Sequence, residues 1–534
     1  MRPSHRPAAI GPSPSLLTCV LLLTFALCPL PFALNQGTNV SAAPKFEVVE
    51  ATIAQIHAAF KAKTLTCTAL VEAYLARIAA YDKKGPALNA VVVVNPNAKK
   101  EAQAKDKQFQ QKGLTQPLQC IPMVVKDNFE TIGLQSADGS KSLEGFVSDK
   151  DAFLVARVKA AGAIVIAKTN MAEFAFSPNE TLSSLQGHTK NPYALDRVPA
   201  GSSGGTAAAV AASFATVGLG SDTGNSIRGP SSHTALVGIR STMGRTSRAG
   251  VAPLSYLADI AGPMARTMAD AVAVFQVIVG EDPEDAMTAR SRGRAIPTYK
   301  SSLLASGLKG TRVGILRQAY ERQNADDEVV KIFMQALEDM RKAGAEIVDG
   351  ITIEQVRRQQ GAGTCRGFKY DMNEYLATRG QKAPVHNVDE IVASGKFDPS
   401  VKSRLPAPTA PAGQGPDSDA CKADQAYREA FGAAITKAMD EDRLDALVYP
   451  TWSNPPRPIG DLTSPGGDNS QIYSPTSGFP AINVPMGYTR DNQLPIGITL
   501  LGRAWDEARL IKLGFAYEQA TKHRRAPASA PPIK

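Results

Sequence analysis

Between Ala200 and Arg228 the chain runs AGSSGGTAAAVAASFATVGLGSDTGNSIR. Serine and glycine gather at the two ends, and the stretch between is rich in Ala and Val. A linker would be polar and glycine-rich throughout, so the pattern predicts two polar turns flanking a buried helix and a strand. A serine hydroxyl on such a turn can attack a carbonyl, but an alcohol is a weak nucleophile and needs a base. Near these turns the only histidines are His188 and His233, so a lysine is the available base. Lys126 follows the apolar run Ile121–Val125, at the carboxyl end of a predicted strand, where α/β folds place their sites. A lysine acts as a base only when neutral, and burial disfavours its charged form. The plain alternative for Lys126 is an ion pair with Asp127 or Asp222.

Generic motifs fit the segment poorly. Gly201–Gly205 satisfies G-x-S-x-G, which would make Ser203 a nucleophile on a strand-to-helix elbow. Arg197-Val-Pro-Ala200 precedes it instead of a strand, and the late histidines, His386 and His523, are poorly placed to serve it. Gly218, Gly220 and Gly224 approximate a dinucleotide loop, but the third glycine comes one place late and Pro230 interrupts the next helix. A phosphate-binding Walker loop would need a lysine that the segment lacks. There is no CxxC or HExxH, and no metal site or cofactor is expected.

The elements that must hold these turns alternate along the chain. Helical spacing spans Thr66–Tyr81, a polar stretch up to Lys112, Ala152–Ala161, Ala207–Phe214, Val329–Ala343 and Glu507–Thr521. Strands are predicted at Ala90–Val94, Ile121–Val125, Ala163–Ala167, Leu236–Ile239, Thr311–Leu316, Glu346–Val348, Ala446–Tyr449, Ala481–Val484 and Ile496–Leu501. The expected fold is α/β, a large mixed twisted sheet covered by helices on both faces. Residues 352–440 look helical but polar and are broken by the Pro-rich stretch Leu405–Pro416, which predicts a helical insertion with a loop or lid. The Pro/Ala-rich tail, 526–534, is expected to fray.

Composition agrees with a globular chain: 534 residues, 43% hydrophobic and 20% charged. The net charge of +9 includes Arg2, Arg6 and the cluster Lys522–Arg525. No basic block interleaved with aromatics suggests a nucleic-acid partner. Residues 1–42 have a basic start, an apolar core over Leu16–Leu34 and small residues near Ala42, the layout of a signal peptide. That predicts a secreted or periplasmic protein with one domain over 43–534 and no stable membrane association after cleavage; a retained anchor is the alternative. Cys19 and Cys28 would leave with that segment. Cys67, Cys120, Cys365 and Cys421 remain and allow three pairings; Cys120 is expected to serve packing.

The segment also closely resembles the amidase signature family, with its G-S-S-G-G-[ST] turn, Ala-rich helix and G-[ST]-D-T-G-x-S-I-R turn. Pro122–Asn128, Lys168–Phe174, Gly262–Asp270 and Thr476–Pro485 resemble further blocks of that family, in family order. The resemblance implies a Ser-Ser-Lys triad: Lys126 as the lysine, Ser202 as the bridging serine after a cis Gly201–Ser202 peptide, and Ser226 as the nucleophile. The turn Thr223, Gly224, Asn225 would form the oxyanion hole. Asn225 stands where the commonest family pattern has a second glycine, and Asn tolerates left-handed φ best among the other residues. The implied activity is hydrolysis of a small-molecule or peptide amide by a monomer or homodimer, without a cofactor. The rival readings are a subunit of the amidotransferase type, using glutamine or glutamyl-tRNA, and an inactive binding protein on the same scaffold.

Overall fold

Short runs of β-branched residues and small residues build the sheet. The computed structural model describes residues 46–361 and 363–533, so the expected signal segment lies outside them. Eleven strands form one sheet in the order β1-β3-β2-β6-β8-β7-β12-β13-β11-β9-β10. They are β1 (Val91–Val94), β2 (Pro122–Lys126), β3 (Ile164–Thr169), β6 (Val217–Asp222), β7 (Val237–Arg240), β8 (Ile260–Ala265), β9 (Arg312–Ile315), β10 (Glu346–Val348), β11 (Ala446–Pro450), β12 (Ala481–Thr489) and β13 (Leu494–Leu501). A separate two-strand hairpin pairs β4 (Leu182–Ser183) with β5 (Gly187–His188). β2 is parallel to both β3 and β6, whereas β6–β8, β7–β8 and β12–β13 are antiparallel. The sheet is therefore mixed, as expected, and its central strands are buried on both faces.

The Ala-rich helix Gly204–Ala211 lies against β2 and β6, and every one of its residues is buried. Small residues make the approach possible: a Cβ on Gly218 would stand 2.5 Å from Thr206 Cγ2, and one on Gly205 2.2 Å from the Asn170 carbonyl oxygen. Gly218 and Gly220 lie inside β6, so they serve packing and not a dinucleotide loop. β8 falls outside the expected strands, because Gly262-Pro263 interrupts its apolar run.

The insertion is less polar than its sequence suggests. Its helices include Phe368–Ala377 and Val388–Ser394, which bury Met372, Leu376, Val388 and Ile391 in one cluster with Phe174 and Phe176 of the main body. The helix Asp419–Glu441 runs from the insertion into the main core, where Phe431, Ile435 and Met439 are buried. The tail is not frayed over 526–533: Ala530 is buried, and Arg77 donates to the carbonyls of Ala530 and Pro531 at 2.6 and 2.8 Å. Arg524, part of the basic cluster in the sequence, is buried and pairs with Glu50 at 2.8 Å.

Disulfides join Cys67 to Cys120 and Cys365 to Cys421. Cys120 is thus a crosslink between the helix Cys67–Tyr81 and the entry to β2, not packing alone.

Candidate active site

Lys126 is the last residue of β2 and is fully buried. Its Nζ donates to Ser202 Oγ at 2.7 Å and to Ser221 Oγ at 2.8 Å. Neither expected acid pairs with it. Asp127 lies 3.9 Å from Lys168, and Asp222 is held between Arg228 and Arg240 at 3.1 and 3.0 Å. Burial lowers the Lys126 ammonium to about 8, against the opposing pull of Asp138, Asp259 and Asp222.

Lys168 is equally buried and also lowered to about 8, chiefly by burial, but its partners differ. It donates to the carbonyls of Phe129, Gln135 and Asp127 at 2.6, 3.1 and 3.3 Å, and to Ser136 Oγ at 2.8 Å. Carbonyls only accept, so that cage needs a charged donor and pins the loop after β2. The Lys126 partners are hydroxyls, which can donate to a neutral amine as well as accept from a charged one. Geometry therefore separates a lysine able to act as a base from a structural one.

Ser202 sits in the tight turn before the Ala-rich helix, and the Gly201–Ser202 peptide is cis. The turn is wedged against its neighbours: a Cβ on Gly201 would lie 2.2 Å from the Glu180 carbonyl oxygen. Ala172 N–H donates to the Ser202 carbonyl at 3.0 Å, and Gly201 N–H to that of Pro178 at 2.8 Å. Ser203, the rival elbow serine, is buried and spends its hydroxyl on the Ser221 carbonyl at 3.1 Å. Among the described residues, no strand runs directly into it.

Ser226 follows β6 in a turn that Asp222 organises. The Asp222 carboxylate accepts Ile227 N–H and Arg228 N–H at 3.1 and 3.3 Å and binds both arginines. Burial alone would raise this carboxyl, but Arg228 and Arg240 outweigh it and hold it at about 2. The Ser226 carbonyl accepts Ser203 N–H at 3.3 Å, which joins the two serine turns, while Ser226 Oγ has no hydrogen-bond partner among the described residues. The structure thus brings Lys126 to Ser202 directly, but no hydroxyl-to-hydroxyl bond links Ser202 with Ser226.

Among the described residues, the backbone N–H groups of Thr223, Gly224, Asn225 and Ser226 have no acceptor. Four adjacent unspent donors beside a serine hydroxyl are what a developing oxyanion requires. Asn225 does not take the left-handed φ expected of it, and Gly224 has no positive φ either. A Cβ on Gly224 would meet only the end of the exposed Gln471 side chain, at 1.9 Å from its Oε1. Asn225 uses its side chain instead, donating from Nδ2 to Asp468 Oδ1 at 2.7 Å. The Thr223 hydroxyl donates to Asp259 at 2.5 Å, and that carboxylate also accepts the N–H groups of Leu254 and Ser255, both at 2.9 Å.

Sequence reasoning missed Ser221, Asn128 and the Asp222–Arg228–Arg240 clamp. Asn128 Nδ2 donates to Ser221 Oγ at 3.1 Å, and so fixes the second hydroxyl on Lys126. Both residues stand in blocks already singled out, Lys126-Asp-Asn128 and Gly220-Ser-Asp222, so the signal was present. His188 and His233 play no part: His188 lies 3.5 Å from Glu180, and His233 stacks on Trp452. A cavity of about 1020 Å³ opens between the main body and the insertion, with Tyr256, Arg366, Tyr375 and Ser477 in its wall. None of Lys126, Ser202 or Ser226 lines it; the strap Leu254–Asp259 reaches both, with Tyr256 at the cavity and Asp259 on Thr223.

The chain is similar to known proteins over nearly its whole length. The family model described as Amidase matches residues 69–511. A probable amidase of Arabidopsis thaliana is 34% identical over 530 residues, covering 95% of this chain and 96% of that protein. A glutamyl-tRNA(Gln) amidotransferase subunit from Acinetobacter baumannii (strain AYE) is 34% identical over 465 residues, covering 85% of this chain and 92% of that protein. The solved structure of native peptide amidase from Stenotrophomonas maltophilia has a TM-score of 0.78 and 35% identity, covering 90% of this chain and 99% of that one. With Lys126, Ser202 and Ser226 gathered at one end of such a sheet, the chain belongs to the amidase signature family of enzymes that act on amides.

Proposed function

We propose that the protein is an exported amidase that hydrolyses a carboxamide C–N bond through an acyl-enzyme on Ser226. Neutral Lys126 takes the proton of Ser202 as Ser202 takes that of Ser226, and Ser226 Oγ attacks the carbonyl carbon. The Ser202–Ser226 link closes in the substrate complex, as catalytic hydrogen bonds often do. The N–H groups of the Thr223–Ser226 turn receive the oxyanion. The same relay returns the proton to the leaving amine, and water then releases the carboxylate.

The observation that carries this reading is the buried Lys126 Nζ held by two hydroxyls and, among the described residues, by no carboxylate within 4.0 Å. Export rests on the signal-like sequence of residues 1–42, and two disulfides suit an oxidising compartment. The similarity to an amidotransferase component favours a second reading, transfer of ammonia in a complex. Substrate choice is assigned to the insertion and to the segment Tyr473–Ser477, whose Ser477 reaches the large cavity.

The test is ammonia release from a panel of aliphatic, aryl and peptide carboxamides by the purified chain alone. Hydrolysis without ATP or a partner is the expected result. Activity only toward glutamine, and only with a partner protein, would favour the second reading; inertness toward every amide would favour a binding protein.

A further inference from the structure

Asp138 is a buried carboxylate beside the lysine for which the mechanism above has no use. It is 1% exposed, and neither of its carboxylate oxygens has a hydrogen-bond partner among the described residues. No lysine, arginine or histidine nitrogen there comes within 4.0 Å of it. Yet the fold takes trouble to place it. Asp127 accepts the N–H groups of Ala137 and Gly139 at 3.2 and 3.0 Å, gripping the turn on both sides of Asp138, whose φ is +51°. The Asp138 carbonyl accepts Phe174 N–H at 3.0 Å, two residues from the Ala172 N–H that holds Ser202. The residue is thus fixed between the lysine strand and the Ser202 turn.

The other acids nearby are all engaged. Asp222 holds two arginines, Asp259 accepts Thr223, Leu254 and Ser255, Asp127 holds its turn, and Glu173 accepts from Ser184 and from Asp398 N–H. Burial pushes the Asp138 carboxyl well above its ordinary value, with Lys126 the first charge to oppose that, and of the groups around Lys126 Asp138 pulls most strongly on its ammonium. A buried carboxylate without partners is costly, and a fold keeps one where something else completes it.

We propose that Asp138 is a specificity-determining residue that receives a cationic group on the substrate, so that the enzyme selects carboxamides bearing an ammonium near the scissile carbonyl, such as α-amino acid amides. This rests on the amidase reading. Its physical sense is twofold. The substrate ammonium gives the carboxylate the partner it lacks, and it offsets the pull of Asp138 on the Lys126 proton. Lys126 is then left neutral at the moment it is needed as a base.

The test compares kcat/KM for L-leucinamide and for 4-methylpentanamide, which lacks only the amino group. At pH 7 the wild-type enzyme is expected to prefer leucinamide by on the order of tenfold or more. In Asp138→Asn the ratio of the two substrates is expected to fall to within about threefold of one. A second readout needs no variant: an α-amine loses its proton above about pH 8, so the wild-type preference should fade there. A wild-type ratio near one, or a preference that persists in Asp138→Asn or at high pH, overturns the proposal. Hydrolysis of other carboxamides but of neither probe also overturns it and leaves the amidase reading standing; no hydrolysis of any amide removes both.

Discussion

Lys126 Nζ stands 2.7 Å from Ser202 Oγ, although the two residues are 76 positions apart in the chain. Two elements meet to make that contact: the end of β2 and the turn that begins the Ala-rich helix. The contact places an amine lowered to about 8 by burial against a hydroxyl that can pass a proton onward.

Replacement of the triad should show that it acts as one unit. Ser226→Ala is expected to lower kcat roughly ten-thousand-fold or more while leaving the fold intact, since it deletes one oxygen. Ser202→Ala and Lys126→Ala should be severe, and double variants should lose little more than the worst single one. Ser221→Ala removes one of the two hydroxyls on Lys126 and should cost less, about 10–100-fold. Steady-state kinetics with circular dichroism on each variant checks the series.

The pH dependence follows from the sign of the lysine shift. Only neutral Lys126 can accept a proton, and burial brings its pKa down to about 8, so kcat/KM should rise with pH through about 8. Lys126→Arg keeps the charge but cannot deprotonate, and it should be nearly as damaging as Lys126→Ala. A full pH–rate profile of wild type and Lys126→Arg makes the comparison.

Asp222 should matter for stability as well as for the turn. Its carboxyl is held at about 2, below an unshifted 3.8, because Arg228 and Arg240 outweigh burial. That contribution is fully present above the unfolded value and is lost as pH falls toward 2. Asp222→Asn leaves two buried guanidiniums uncompensated and is expected to cost about 3–5 kcal/mol, read by urea denaturation at neutral pH.

Much of this was legible in the sequence, and the misses have physical causes. Lys126 stood out because an apolar strand ended on it, and the serine turns because glycine and serine flanked an apolar helix. β8 escaped because Gly262-Pro263 breaks its pattern, and only the flanking strands β6 and β7 restore it. Arg240 and Asp222 are 18 residues apart, so their pairing is a property of the folded sheet and not of local spacing. The tail looked loose by composition, yet Arg77, more than 450 residues earlier, holds it by its carbonyls. Asn225 fits its turn for a reason that local sequence does not carry: its φ is not positive, and its side chain is anchored on Asp468, 243 positions later in the chain.

The Cys67–Cys120 bond closes a long loop, with the two cysteines 53 positions apart. Replacing both cysteines by serine should lower unfolding stability by about 2–5 kcal/mol, mainly by freeing the unfolded chain. Denaturant titration of the double variant against the oxidised wild type measures the difference.

The central claim is that Ser226 is the nucleophile and that Lys126 activates it. The direct measurement is reaction with a serine-directed fluorophosphonate, followed by peptide mass spectrometry. A single adduct on the peptide carrying Ser226, absent in Ser226→Ala and strongly slowed in Lys126→Ala, is the predicted result. An adduct on Ser203, or labelling of Ser226 at an unchanged rate without Lys126, would contradict it.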